Sequence, residues 1–140
     1  LGLAYYVSSS SESNPDTGFL ATFAGVKNEN ADKAVQVIAR EYKKLVEKRV
    51  LAKELRNAKD RIRGKMALSL ESSDAKAEFY GVQEILESRF FTPEQLYDRI
   101  EKVRPLDIQR VAGDMFQSKN LNLVMLGPFQ EKKKFERLLS

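Results

Sequence analysis

Residues 3–26, LAYYVSSSSESNPDTGFLATFAGV, decide the fold, because they predict two strands joined by a tight turn. At both ends of this stretch, residues of strand-forming type alternate between two faces, which is the period of a pleated strand. Between the two ends, Asn14-Pro15-Asp16-Thr17-Gly18 carries the proline and the glycine that mark a turn. The stretch therefore predicts an antiparallel hairpin.

After residue 30 the apolar residues recur at the helical period. They predict five successive helices, which begin near Ala31, Ala52, Asp74, Thr92 and Pro105. The fourth start is the clearest, because residues 92–95, TPEQ, combine a capping box with proline at the first helical position. The second helix is expected to have one apolar stripe, made of Leu51, Leu55, Ala58, Ile62 and Met66.

Residues 121–126, LNLVML, alternate again and predict a third strand, closed by Gly127-Pro128 and followed by a last amphipathic helix. The predicted fold class is α+β, with a small antiparallel sheet (the two-stranded hairpin plus this late strand) covered on one face by about five to six helices. Residues 1–140 show no internal repeat or linker, so they are expected to form a single domain.

A sheet of three strands leaves at least one edge unpaired. We therefore expect these residues to be a truncated carboxy-terminal domain, with the missing strands supplied by an absent amino-terminal part or by a partner. Self-association of the chain through the exposed sheet edge is a further possibility. The sequence leaves the oligomeric state open.

The composition is that of a folded globular chain, with 42% hydrophobic and 31% charged residues. No apolar run approaches the roughly 20 residues of a membrane helix, so a soluble protein without membrane contact is expected, in an undetermined compartment. The net charge of +4 comes from 24 basic and 20 acidic residues, mixed along helices as in Glu41-Tyr42-Lys43-Lys44. Mixed charge is typical of solvated helix surface, so nucleic acid is not expected as a partner.

The sequence contains no cysteine and no histidine. Disulfides, thiolate nucleophiles and the usual zinc ligands are therefore excluded from this chain, and so is the commonest general base. The run of serines at 8–11 lacks a histidine or lysine partner, so a solvated strand end is the expected interpretation. No cofactor or metal is expected in this chain.

Several stretches resemble the carboxy-terminal domain of insulinase and pitrilysin family zinc metallopeptidases. The first is Gly2-Leu3-Ala4-Tyr5-Tyr6-Val7-Ser8-Ser9, similar to a family signature in which Gly-Leu-Ala-Tyr enters a strand. The others are Asp16-Thr17-Gly18-Phe19-Leu20, Asn30-Ala31-Asp32-Lys33-Ala34, residues 58–65 and 69–73, and the closing residues 120–128. Together they cover nearly the whole chain, although none is as specific as a zinc motif.

This resemblance implies that zinc is bound outside these residues, by a His-x-x-Glu-His motif in the amino-terminal domain of the same or a partner chain. It also implies that an Arg and a Tyr of the carboxy-terminal domain reach the bound peptide. The Tyr corresponds to Tyr5, and the Arg would precede Leu1. Tyr5 is thus the candidate catalytic (assisting) and substrate-binding residue, with its hydroxyl stabilising the oxyanion of the scissile peptide.

Two other interpretations stay open. Tyr5 could be a packing aromatic of its strand, as is expected for Tyr6 on the opposite face. The parent of this chain could also be a non-catalytic scaffold or partner subunit of the same fold, since the family includes members without the zinc motif. Alone, the chain is expected to be inactive, and the sequence does not indicate which peptides a parent enzyme would cleave.

Overall fold

The structure is a computed structural model that describes residues 2–87 and 89–139. Two strands come first, β1 (Ala4–Ser13) and β2 (Gly18–Val26), and they form one two-stranded sheet. The helices that follow are α1 (Ala31–Glu47), α2 (Ala52–Ser69), α3 (Ser73–Glu87), α4 (Pro93–Lys102), α5 (Pro105–Met115) and α6 (Lys132–Glu136). The α+β class, with a small sheet and six helices, is confirmed within the described residues.

Side-chain contacts across the hairpin define its register. The Ser9 hydroxyl lies 2.7 Å from the Thr22 hydroxyl, and the Tyr6 ring covers the backbone of Gly25. A Cβ added at Gly25 would lie only 2.8 Å from Cδ1 of Tyr6, so glycine lets this ring approach the neighbouring strand. Both pairs fit one register, in which residue 9 is opposite residue 22 and residue 6 is opposite residue 25.

The chain divides into two compact units. The hairpin unit contains the described residues of Leu1–Glu12, Gly18–Arg49 and Gln109–Ser140, and the helical unit contains Ser13–Thr17 and Val50–Ile108. Whether the 140 residues act as a single domain stays a prediction.

In the hairpin unit, α1 packs on β2. The Tyr42 hydroxyl of α1 lies 2.6 Å from the Thr22 hydroxyl of β2, and the Tyr42 ring stacks on Phe116 with centroids 4.2 Å apart. The buried apolar residues among those described all belong to this unit: Ala31, Val35, Ala112 and Phe135. Its core is therefore small, and tyrosine joins the sheet to the helical layer.

In the helical unit, α2 packs on α4 around a buried lysine. Lys59 of α2 is only 9% exposed, and it is the one buried residue among those described in this unit. Its ammonium group donates a hydrogen bond of 2.6 Å to the backbone carbonyl of Glu101, near the end of α4. A cation at a helix carboxyl end meets unpaired carbonyls and the negative end of the helix dipole, so this contact stabilises the crossing of the two helices.

The fourth helix begins as the sequence predicts. The Thr92 hydroxyl accepts from the backbone N–H of Gln95 at 3.3 Å, while the Gln95 side chain accepts from the backbone N–H of Thr92 at 2.9 Å. Pro93 occupies the first helical position. The capping box is confirmed.

The late strand predicted at residues 121–126 is not formed in the structure. The sheet contains β1 and β2 alone among the described residues, and 121–126 is assigned to no strand. Val124 is 95% exposed, and Leu126 is fully exposed. A strand needs a neighbour to satisfy its backbone, and residues 121–126 have no strand neighbour in the described part of the chain.

Two other expectations from the sequence also need correction. Strand β1 does not end at the serines but continues through Ser13, since its backbone pairs with β2 whatever the side chains are. Of the apolar stripe predicted for α2, Leu51, Ala58 and Ile62 are exposed. Lys59 takes the buried place, because its long apolar stem fills the contact with α4 and its charged end reaches a carbonyl.

The Tyr42 hydroxyl offers a test of how α1 is held to the hairpin. Replacing Tyr42 with phenylalanine removes the part-buried hydrogen bond to Thr22 and keeps the ring stack, so unfolding should become easier by about 1 kcal/mol. Urea unfolding followed by circular dichroism measures this loss. The matched control is Tyr97→Phe, because the Tyr97 hydroxyl has no hydrogen-bond partner among the described residues. An equal loss in both variants would contradict a specific role for Tyr42.

Candidate functional site

Tyr5 lies on β1 near its amino-terminal end, with 74% of its surface exposed. Alternation along the strand places it on the same face as Val7 and Ser9. The structure gives Tyr5 no hydrogen bond, ion pair or ring contact to any other described residue. Its phenol group is therefore available to a ligand, and the packing role considered for it is not seen within the described residues.

The face of β1 that carries Tyr5 is fixed by a chain of polar contacts. Ser9 contacts Thr22 on the neighbouring strand, and Thr22 contacts Tyr42 of α1. The stack of Tyr42 on Phe116 extends this chain to the residue that follows α5. Four side chains thus join the middle of the hairpin to the helices.

Tyr6 has a different environment from Tyr5. It lies on the opposite face of β1, where its ring covers Gly25, as the sequence predicts for a packing residue. The two adjacent tyrosines therefore separate into one that packs on its own sheet and one that has no internal contact. This difference makes Tyr6 a suitable control for any function of Tyr5.

Shifted pKa values occur away from Tyr5 and have structural causes. The pKa of Glu41 is lowered, mainly by the hydrogen bond from Lys44 in the next turn of α1. The pKa of Lys134 is raised, mainly by its hydrogen bond to the carboxylate of Asp32. All four groups are on the solvated surface of the hairpin unit, and such pairs tune surface charge rather than a catalytic acid or base.

The residues of this chain do not fit a zinc ion. Zinc sites in proteins use histidine and cysteine with some carboxylates, and the sequence contains neither of the first two. Across 2–87 and 89–139, no three acidic side chains come close enough to hold a metal ion. No chemistry of this chain is therefore assigned to a metal of its own. The same residues contain no helix long and apolar enough to cross a bilayer.

Sequence reasoning missed two features. The first is the buried Lys59 and the carboxylate of Glu101 beside it. The charged ends of Lys59, Arg56 and Arg63 lie 3.8, 3.9 and 3.6 Å from that carboxylate. The second is an apolar cavity of about 950 Å³ in the hairpin unit, beside β2. The predicted unpaired sheet edge was an indication of this cavity, but the sequence does not show where in the fold that edge lies.

Comparison with known proteins gives a family match for the hairpin and the first helix. Residues 1–62, which contain β1, β2 and α1, match the family described as the Peptidase M16 inactive domain. Over this matched stretch the chain belongs to the M16 (insulinase) peptidase family. The resemblance drawn from the sequence is confirmed, and the family description agrees with a domain that lacks the zinc site.

Relatives of this M16 chain include named proteases and processing peptidases. An uncharacterized zinc protease of Bacillus subtilis is 27% identical over 127 residues, which are 91% of this chain and 31% of that protein. The mitochondrial-processing peptidase subunit alpha-2 of Dictyostelium discoideum is 30% identical over 125 residues, 89% of this chain and 27% of that protein. The mitochondrial-processing peptidase subunit beta of Saccharomyces cerevisiae is 28% identical over 98 residues, which are 70% of this chain and 21% of that protein.

A solved structure supports the fold. A chain of complex III2 from Candida albicans, with Inz-5 bound, superposes with a TM-score of 0.70 at 17% sequence identity. The match covers 77% of the M16 chain and 26% of the other chain. At this identity the likeness concerns the fold alone. The chain spans between about a fifth and a third of the length of the relatives named above.

Proposed function

We propose that this chain is the part of a larger zinc-dependent endopeptidase, the parent protein, that holds peptide and binds no metal. Its match to the inactive domain of the M16 family supports the assignment of a part without the zinc site. Relatives named as zinc protease and as processing-peptidase subunits support the link to proteolysis. The absence of histidine and cysteine from the sequence agrees with a metal site outside these 140 residues.

Tyr5 is the residue we propose for contact with the peptide. The observation that carries this proposal is its exposed phenol, which has no internal partner among the described residues although its strand is anchored to α1. A phenol O–H donates a hydrogen bond without carrying charge at neutral pH. On an anchored strand, such a donor can meet the carbonyl oxygen of a peptide bond where negative charge develops, at little cost in reorganisation.

The zinc, in this proposal, is bound by the amino-terminal domain of the same chain or of a partner chain. The present chain would then complete the substrate site from the opposite side, as one half of a clamp. The peptide is the ligand of Tyr5, and the zinc-binding domain is the macromolecular partner. A parent without the zinc motif would use the same fold as a scaffold or partner subunit.

Reconstitution tests this function directly. The 140-residue chain and the rest of the parent protein are produced separately, and cleavage of an unstructured fluorogenic peptide is measured for each part and for the mixture. We expect cleavage in the mixture, none with the 140-residue chain alone, and loss of the activity when a zinc chelator is added.

Two results would contradict the proposal. Full activity of the remaining part alone would show that this chain holds no substrate. An inactive mixture, together with an inactive intact parent, would favour the scaffold function instead.

A further inference from the structure

A second cavity lies in the helical unit, where α2 meets the end of α4. Its volume is about 310 Å³. Half of its lining residues are apolar, among them Leu55 and Val103. The other half are charged, three of them basic and one acidic: Arg56, Lys59, Arg104 and Glu101. We name this cavity the basic cleft.

The ion pairs at the basic cleft leave an excess of positive charge. Glu101 is shared by the three basic side chains of α2 described above, which lie 3.6 to 3.9 Å from its carboxylate. Arg104 pairs separately with Asp107, at 3.2 Å. In these pairs four basic side chains meet two carboxylates, so two positive charges are not balanced within them. Such an excess attracts an anion to the cleft.

The guanidinium groups of Arg56 and Arg63 keep donors that a ligand can use. Both lie beyond hydrogen-bond distance of the Glu101 carboxylate, and neither donates a hydrogen bond to any residue in the described part of the chain. Their side chains are 65% and 49% exposed, so both are accessible. Arg63 also lies over the Tyr97 ring, 5.3 Å from its centroid. A ring that contacts the face of a guanidinium leaves the N–H groups in its plane available.

Lys59 adds a cation that is shielded from solvent. Its side chain is only 11% exposed, and its hydrogen bond goes to a neutral backbone carbonyl, that of Glu101. This bond does not neutralise the ammonium charge. Because a partly buried charge is screened less by water and salt than an exposed one, Lys59 strengthens the positive potential inside the cleft.

We infer that the basic cleft binds the carboxylate of an acidic peptide segment, in which the acidic residue has an apolar neighbour. Arg56 is the direct ligand of this carboxylate, since its planar guanidinium can donate two parallel hydrogen bonds to it. Leu55 and Val103 take the apolar neighbour. The inference goes beyond the proposed function, because it concerns a surface of the helical unit and does not use Tyr5.

A carboxylate on a peptide fits the cleft better than a phosphate does. The basic side chains of α2 already gather around a carboxylate, that of Glu101. The apolar half of the lining matches a hydrophobic side chain, which a free phosphate or a sugar-phosphate backbone does not offer. Two adjacent residues of a peptide supply both groups at once.

A titration followed by NMR tests the inference. The probe is a short peptide with both ends blocked and a central glutamate flanked by leucines, added to the 140-residue chain. We expect the side-chain N–H signals of Arg56 and Arg63 to shift in a saturable manner. A second peptide with glutamine in place of glutamate should bind at least about tenfold more weakly, because it lacks the charge-assisted hydrogen bonds. Equal binding of the two peptides, or no saturable shift, would overturn the inference.

Two arginines on α2 give a matched pair of variants. Arg56→Gln should weaken binding of the glutamate peptide at least about tenfold. Arg61→Gln removes the same charge from the same helix and should change the affinity less than about twofold, because Arg61 is exposed on the face opposite Lys59 and Arg63. The Tm of both variants should match that of the unchanged chain. Equal weakening by both would show attraction to general surface charge only, and would contradict a built site.

Glu101→Gln distinguishes a ligand site from a purely structural ion cluster. The variant keeps the backbone carbonyl that Lys59 contacts and removes the carboxylate that repels the ligand. The glutamate peptide should therefore bind about two- to fivefold more tightly, as expected for loss of one partly exposed like charge. Unchanged or weaker binding would contradict the proposal.

Two further probes identify other occupants. Inorganic phosphate that displaces the glutamate peptide at a lower concentration than the peptide's own Kd would make the cleft a phosphate site and would overturn the inference. A glutamate peptide with serine in place of both leucines should bind more weakly. Equal affinity would overturn the role of the apolar lining. None of these outcomes depends on whether the parent protein is a peptidase.

Discussion

Replacing Tyr5 with phenylalanine in the parent protein is expected to lower kcat for peptide cleavage by about 10²–10³-fold, the usual loss when one oxyanion donor is removed. The substitution deletes a single hydroxyl that has no partner among the described residues, so the fold should be unaffected. KM should change little, because the proposed hydrogen bond strengthens mainly as charge develops on the carbonyl oxygen. Steady-state kinetics with a fluorogenic peptide measures both constants.

The neighbouring tyrosine provides the control. Tyr6→Phe removes the same hydroxyl from a ring that covers Gly25 on the opposite face of β1, and it should leave kcat within about twofold. The Tm of both variants should equal that of the unchanged parent. Equal kcat losses in the two variants, or no loss with Tyr5→Phe, would remove Tyr5 from the substrate site.

Replacing Lys59 with methionine is expected to lower the free energy of unfolding by about 1.5–3 kcal/mol, the range for a hydrogen bond to a charged group. Methionine keeps most of the apolar stem, so the change removes the ammonium group, with its 2.6 Å bond to the Glu101 carbonyl and its 3.8 Å ion pair with the Glu101 carboxylate. The carbonyl would lose its donor at a part-buried position next to the end of α4. Urea unfolding of the 140-residue chain measures the loss.

Arg56 is the matched control for Lys59, because it lies on the same helix and near the same carboxylate. Its guanidinium is 3.9 Å from the Glu101 carboxylate, and its side chain is 65% exposed. Arg56→Met should therefore cost less than about 0.5 kcal/mol, as for other surface ion pairs. If both variants lose the same stability, the contacts of the Lys59 ammonium group with Glu101 are not what holds α2 to α4.

Much of the local structure could be predicted because it depends on short-range patterns. The turn at 14–18 and the alternation around it specify the hairpin, since both are fixed by backbone preferences within a few residues. The Thr92 capping box marks the start of α4 for the same reason: its two hydrogen bonds join residues three apart. These features need no knowledge of the rest of the protein.

The wrong predictions concern backbone pairing, which a hydrophobic pattern does not specify. Residues 121–126 have the alternation of a strand, but a strand forms only where a neighbouring edge is available. In β1 the serines looked like the end of a strand, yet pairing with β2 continues to Ser13. In both cases, whether a strand forms depends on which backbone segment lies next to it. A hydrophobic pattern does not contain that information.

The candidate site also combines features that local patterns predict with features that depend on packing between elements. The resemblance indicated Tyr5, and strand alternation correctly separated it from Tyr6. The sequence could not indicate that Tyr42 would anchor this strand through Thr22, because these residues lie on different elements. Nor could it indicate Lys59, since a lysine on a charged helix is normally exposed and only packing against α4 buries it.

Zinc binding tests the central claim most directly, namely that this chain is the metal-free part of an M16 peptidase. The 140-residue chain and the parent protein are each loaded with zinc, dialysed, and analysed for bound metal and for cleavage of an unstructured peptide. The parent should retain about one zinc per zinc-binding domain and cleave the peptide, while the 140-residue chain should retain none and cleave nothing. Stoichiometric zinc on the 140-residue chain, with cleavage that a chelator abolishes, would contradict the account.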